Sequence, residues 1–210
     1  RQPDERWFAF LHTYSVHAPY FPSEPFRSRF VDPDYAGGIP STMKELRRRF
    51  PGKDQPGVHF LETADTNDPR DLDHLRNLYL GEVALTDAGL AAFLAGLEQS
   101  GDLDETIVVL TSDHGEQFGE HGAVSHNQLW EEELHVPLLV RLPDGMGAGT
   151  RLPGRIGHTD FLPSILELLG LDWPEEQVTT GRSWASWLSA PPSGGAAEDR
   201  PQLAEHRSHS

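Results

Sequence analysis

A continuous β-branched run, Thr106 to Thr111 (TIVVLT), constrains the fold more than any other feature of the chain. It does not alternate as a half-solvated strand does, so it predicts a parallel strand covered on both faces. The longest helical pattern in the sequence comes just before it. Asp68-Pro69 predicts the start of that helix, with the carboxylate capping the first turn and proline at the first helical position. Leu72, Leu75, Tyr79, Val83, Leu90, Phe93, Leu94 and Leu97 recur at helical spacing, and Ser100-Gly101 ends the pattern.

The rest of the chain continues the alternation of strand and helix. Trp7 to Tyr14 (WFAFLHTY) predicts a second buried strand, with His12 as a hydrogen-bonded core histidine, and Pro19 to Pro25 forces a loop. Lys44 to Phe50 predicts a short basic surface helix, Trp130 to Leu134 another short helix, and Val136 to Leu142 a strand. Residues 143–150 form a turn, and Asp160 to Leu169 a helix with Phe161, Leu162, Ile165, Leu166 and Leu169 facing inward. Such alternation predicts a layered α/β fold with a mostly parallel central sheet flanked by helices. Residues 1–188 are expected to form that core. Residues 189–210 are expected to be a linker and the start of a C-terminal subdomain.

Composition narrows the partners. A formal charge of −16 over 210 residues repels nucleic acid and anionic membranes. The chain has no cysteine, so neither a disulfide nor a thiolate metal site is available within it. No stretch is expected to supply the roughly 20 apolar residues that span a bilayer. An anionic substrate would need local cations to overcome the global field.

The chemistry-bearing residues follow the run at 106–111. They read Ser112-Asp113-His114-Gly115-Glu116, then Gly119-Glu120-His121-Gly122 and Ser125-His126. Ligands of open α/β sheets bind beyond the carboxyl ends of the strands. Asp113 and His114 offer one hard oxygen and one nitrogen to a common cation, suiting Ca²⁺, Mn²⁺ or Zn²⁺. Two donors are half a site, and Asp-His-Gly taken alone is also a common loop tripeptide. Gly115 is expected to let the backbone bend after the pair. Glu116 and Glu120 read as loop charges, and His121 as a turn residue. His17, in Phe10 to Tyr20 (FLHTYSVHAPY), lies at the end of the other expected strand. Alone it reads as a histidine packed beneath Pro19 and Tyr20.

Taken together these segments resemble the sulfatases of the alkaline-phosphatase-like superfamily. The resemblance rests on His17-Ala18-Pro19-Tyr20, on Tyr79, Glu82, Val83 and Asp87, and above all on TIVVLTSDHGEQFGEHG and WEEELHVPLLVR. TDFLPSILELLG and TGRSWASWL extend it to residue 188. It implies that Asp113 and His114 are the second pair of ligands to a divalent cation, usually calcium. It implies that His17 contacts the sulfate or leaving-group oxygen. His126 falls where many sulfatases carry a lysine, four residues before Trp130, and is expected to donate a hydrogen bond or a proton. The implied function is metal-dependent hydrolysis of an anionic small-molecule or carbohydrate sulfate ester. The implied nucleophile is a formylglycine.

No Cys-x-Pro-x-Arg occurs in the chain, nor the early Asp-Asp ligand pair, and Ser23 to Arg27 (SEPFR), though of the form Ser-x-Pro-x-Arg, follows the His17 segment that the resemblance requires the nucleophile to precede. The expectation is therefore a piece of a longer protein, without turnover by itself, whose formylglycine segment lies upstream. A phosphodiesterase or phosphonate monoester hydrolase of the same superfamily and a noncatalytic binding domain are the alternatives. The resemblance makes export a family tendency and leaves substrate and oligomeric state open. The four side chains His17, Asp113, His114 and His126 are expected to converge on one pocket.

Overall fold

The computed structural model describes residues 6–152, 154–174, 178–189 and 203–204. The chain divides into two compact units, one of residues 1–97 and 116–126, the other of residues 98–115 and 127–210.

The first unit is built on α1 (Phe26–Phe30), α2 (Met43–Arg49) and most of α3 (Pro69–Ser100), with a hairpin of β2 (Gln117–Phe118) and β3 (Val124–Ser125). Asp68 starts α3 as its sequence predicts, its Oδ1 accepting the Arg70 N–H at 2.9 Å. Thr42 caps α2 by accepting from the Glu45 N–H, and Arg47, Arg48 and Arg49 complement the dipole in its last turn. Tyr20, Ile39, Leu46, Phe60, Leu75, Leu78 and Phe118 form the buried core. Tyr20 lies at its centre, with ring contacts to Phe60 and Tyr79 at 5.6 Å and to Phe118 at 6.2 Å.

The first half of α3 also buries polar groups. The Asp71 carboxylate accepts from the Tyr35 hydroxyl at 2.6 Å and the Asp65 N–H at 3.0 Å. Glu82 accepts the Phe21 N–H at 2.9 Å, and burial raises its carboxyl above the ordinary range against that bond. By length and composition α3 is apolar enough to cross a bilayer, contrary to expectation. Its first half buries Asp71, His74 and Glu82.

The second half of α3 is more open than its periodicity predicts, Val83 and Phe93 both being exposed. The run at 7–14 departs further. It belongs to no ladder, and Trp7, Phe8, Phe10, Leu11 and Tyr14 are all exposed. His12 is exposed with them and is no core histidine. Apolar composition predicts that a segment can be a strand, but a strand also needs a neighbour to bond to. Among the described residues this one has none.

The second unit holds the antiparallel pair β1 (Val108–Thr111) and β4 (Leu138–Arg141), in the register Val108 to Arg141 through Thr111 to Leu138. Both strands fall where the sequence places them. The parallel direction expected of β1 does not hold for this pairing, because β-branched composition carries no information about strand direction. Its residues are half-buried rather than enclosed, and Leu139 faces out at 60% exposure. The unit also contains α4 (Glu131–Leu134), α5 (Phe161–Leu168) and α6 (Ala185–Ser189). On α5 the expected inward residues Leu162 and Leu169 are exposed, while Ser164 is fully buried. The Ser164 hydroxyl donates to the Asp160 carbonyl at 2.6 Å and accepts the Trp184 N–H at 3.0 Å. Asp160 in turn accepts from the Gly157 N–H at 2.9 Å and the Arg182 N–H at 2.8 Å. A polar staple therefore fastens α5, and its hydrophobic stripe does not decide which face is buried. The linker expected at 189–210 lies almost wholly outside the described residues.

Glycines of α3 separate propensity from packing. A Cβ on Gly81 would lie 2.6 Å from Pro22 Cγ, whereas one on Gly89 meets nothing within 4 Å. Alanine gains about 1 kcal/mol of helix propensity at either site. Overpacking against the buried, rigid Pro22 ring costs about 1–3 kcal/mol and wins at residue 81. Gly81→Ala is expected to lower the thermal midpoint followed by circular dichroism, and Gly89→Ala to raise it.

Candidate active site

In the first unit, the turn before Tyr20 carries His17 and the β2–β3 hairpin carries His126. The two imidazoles meet edge to face, with centroids 5.1 Å apart and planes at 68°. His17 Nδ1 lies 2.6 Å from the Ala18 carbonyl oxygen. A carbonyl only accepts, so Nδ1 bears the proton and the lone pair belongs to Nε2. His126 Nδ1 lies 3.2 Å from Glu116 Oε1. The structure thus brings together the two histidines expected to touch the ester.

Glu116 is the residue that the sequence reading undervalued. Its side chain is only 6% exposed. Its other oxygen accepts from the Tyr20 hydroxyl at 2.6 Å. Burial, reinforced by the Glu116 charge, pushes the Tyr20 phenol far above its ordinary range, so it remains a donor. Glu116 directly follows Gly115 in an otherwise polar loop, and nothing local marks it as buried. The one available signal was the pairing of a Tyr after His-x-Pro with a Glu after Asp-His-Gly. Glu120, by contrast, closes its own turn by accepting the Phe118 N–H and lies 3.5 Å from Arg76. His121 stands in that turn with a φ of 58°.

In the second unit, Asp113 and His114 follow β1 directly. Asp113 Oδ1 accepts the His114 N–H at 3.1 Å, and Asp113 Oδ2 lies 3.9 Å from His114 Nε2. His114 Nδ1 donates to the Gly115 carbonyl at 2.8 Å, which assigns the lone pair to Nε2. Histidines that bind metals characteristically donate their other ring N–H to such an acceptor. An exposed carboxylate oxygen and this imidazole nitrogen fit two ligands of a divalent cation. Among the described residues, no group of three or more such side chains gathers as a cation needs.

Gly115 is required by close approach and not by a bend. Its N–H donates to the Glu133 carbonyl at 2.7 Å, and a Cβ would sit 2.0 Å from the Glu132 carbonyl oxygen. His158, left out of the expected site, donates from Nε2 to the Ser112 carbonyl at 2.9 Å, beside Asp113. Trp184 packs into the interior.

The first unit thus carries a pair of oriented imidazoles, and the second a carboxylate–imidazole pair. The particular family follows from comparison. The chain matches the sulfatase family over residues 1–171 and belongs to it. It is 36% identical over 98 residues to an N-acetylglucosamine-6-O-sulfatase of Bacteroides thetaiotaomicron, covering 47% of this chain and 18% of that protein. It is 34% identical over 106 residues to bovine (Bos taurus) arylsulfatase K, covering 50% of this chain and 19% of that protein. Among solved structures, the phosphonate monoester hydrolase of Agrobacterium radiobacter aligns with a TM-score of 0.65 at 24% identity, over 92% of this chain and 40% of that one. That likeness establishes the fold. The match to the first curated relatives spans 18–37% of their own lengths.

Tyr20→Phe removes the donor that the buried Glu116 carboxylate relies on while keeping the ring contacts. Hydrogen bonds to charged groups contribute about 1.5–3 kcal/mol, so urea unfolding of the variant is expected to show a loss of that size.

Proposed function

We propose that the protein is a metal-dependent sulfatase acting on a sulfate ester, with a sulfated carbohydrate as the substrate class. The observation that carries this reading is the paired imidazoles of His17 and His126, in a chain of the sulfatase family. The substrate class is supported by the likeness to a protein named as an N-acetylglucosamine-6-O-sulfatase. In the native gene product we expect the strand pairs to belong to an alkaline-phosphatase-like layered sheet.

Cleavage of a sulfate ester builds negative charge on the departing alkoxide. His17 and His126 each hold Nδ1 against a fixed acceptor, so Nε2 is the atom that can take up a proton from solvent and pass it to the departing alkoxide oxygen. Such positioned proton transfer contributes roughly 10²- to 10⁴-fold. Asp113 and His114 would hold a divalent cation, calcium by family habit, which when bound would supply Lewis-acid stabilisation of developing negative charge. A bound cation would bring local positive charge to a chain of net charge −16. The nucleophile of sulfatases is generally a formylglycine, which here would come from the rest of the native gene product.

The test uses the native gene product with 4-nitrophenyl sulfate, the matching phenylphosphonate ester, and calcium titration by calorimetry. Asp113→Ala is expected to weaken calcium binding and turnover by at least about the 10- to 100-fold typical of disturbing a metal's supporting groups. His17→Ala and His126→Ala are expected to lower kcat on the sulfate. Unchanged calcium affinity in Asp113→Ala would remove the metal assignment. Higher kcat/KM on the phosphonate would move the chain to the phosphonate monoester hydrolases. Calcium binding without turnover of either ester would leave a noncatalytic binding domain.

A further inference from the structure

We propose that Glu116 is a positioning residue for His126: anchored by the Tyr20 phenol, its carboxylate holds the imidazole in the Nδ1–H form and so selects Nε2 as the atom presented to substrate. The role of His126 toward an ester rests on the sulfatase reading above. The geometry that fixes its tautomer does not.

The argument starts from the cost of burial. A carboxylate with a side chain 6% exposed needs partners for its oxygens. Tyr20 provides one at 2.6 Å and His126 the other at 3.2 Å. Tyr20 is fully buried among Phe60, Tyr79 and Phe118, and its single hydroxyl proton points to Glu116. The phenol therefore fixes where the carboxylate sits. An ionised carboxylate only accepts, so the imidazole nitrogen facing it must carry hydrogen. Tautomer and ring orientation are set by the same contact, as when a carboxylate orients a catalytic or metal-bound histidine.

His17 is held in the same sense. Its Nδ1 donates to the Ala18 carbonyl, and its ring packs edge-on against His126 at 5.1 Å. Each imidazole thus has Nδ1 turned to a protein acceptor. The same set explains why a histidine works at a position where relatives carry lysine. An ammonium needs no tautomer, whereas an imidazole does, and Glu116 decides it.

Glutamine at 116 separates this role from a merely structural one. A side-chain amide has one accepting and one donating end. The Tyr20 phenol oxygen can also accept, but its buried proton is given to residue 116, and keeping that bond turns the amide oxygen toward Tyr20. The amide NH₂ then faces His126 Nδ1, which must become the acceptor. Glu116→Gln is therefore expected to fold and to switch His126 to the Nε2–H form.

The readout is the long-range ¹H–¹⁵N ring spectrum of the ¹⁵N-histidine-labelled full chain, with kcat and KM on 4-nitrophenyl sulfate from the native gene product. The expected result is Nδ1–H for His126 in the wild type and in Tyr20→Phe, and Nε2–H in Glu116→Gln. In Glu116→Gln, kcat should fall about 10- to 100-fold with KM held within about twofold. An Nε2–H tautomer in the wild type overturns the proposal, and so does an unswitched tautomer or an unchanged kcat in a folded Glu116→Gln. Should that variant fail to fold, the wild-type tautomer decides alone. If the tautomer switches but the wild type turns over no sulfate ester, the positioning contact stands and the sulfatase reading falls.

Discussion

One hydrogen bond, from the Tyr20 hydroxyl to the Glu116 carboxylate, joins the hydrophobic core of the first unit to its chemistry. Tyr20 belongs to the aromatic centre that buries Phe60, Leu75 and Phe118, and its hydroxyl reaches the carboxylate that touches His126. A buried charge is tolerated only where its partners are fixed, and once fixed it orients whatever donates to it. Packing of the core thus extends to the orientation of His126, and through ring contact to His17. In the second unit a neutral acceptor has the corresponding role. The Gly115 carbonyl orients His114, and the close approach that excludes a side chain at residue 115 ties that loop to α4.

Features encoded in adjacent residues were legible. The cap and proline at 68–69, the glycine after residue 100, the strands around 108–111 and 138–141 and the short helices at 43–49 and 131–134 all fall where local chemistry places them. Asp113 and His114 were legible as a pair because they are neighbours in the sequence. His17 and His126 were suggested only by resemblance, and the fold brings their rings together.

What stayed hidden depends on distant partners. The burial of Glu116 is decided by Tyr20, 96 residues away, so the loop sequence around it reads as solvated. Composition marked 7–14 and 106–111 as strand-forming, but pairing and direction belong to the neighbours a strand finds. The face α5 buries is chosen by the polar contacts of Ser164 and Asp160 and not by the apolar stripe. Glycine at 115 was recognised as constrained, but for a bend, whereas the constraint is the carbonyl of Glu132.

The linkage between core and site is tested most directly by a double-mutant cycle on stability, combining Tyr20→Phe with Glu116→Gln and measuring all four proteins by urea unfolding. Direct contact through a buried charge predicts a coupling energy of about 1 kcal/mol or more, within the 0.5–3 kcal/mol found for touching residues. Additivity of the two substitutions to within about 0.3–0.5 kcal/mol would mean the residues act independently and would contradict the account.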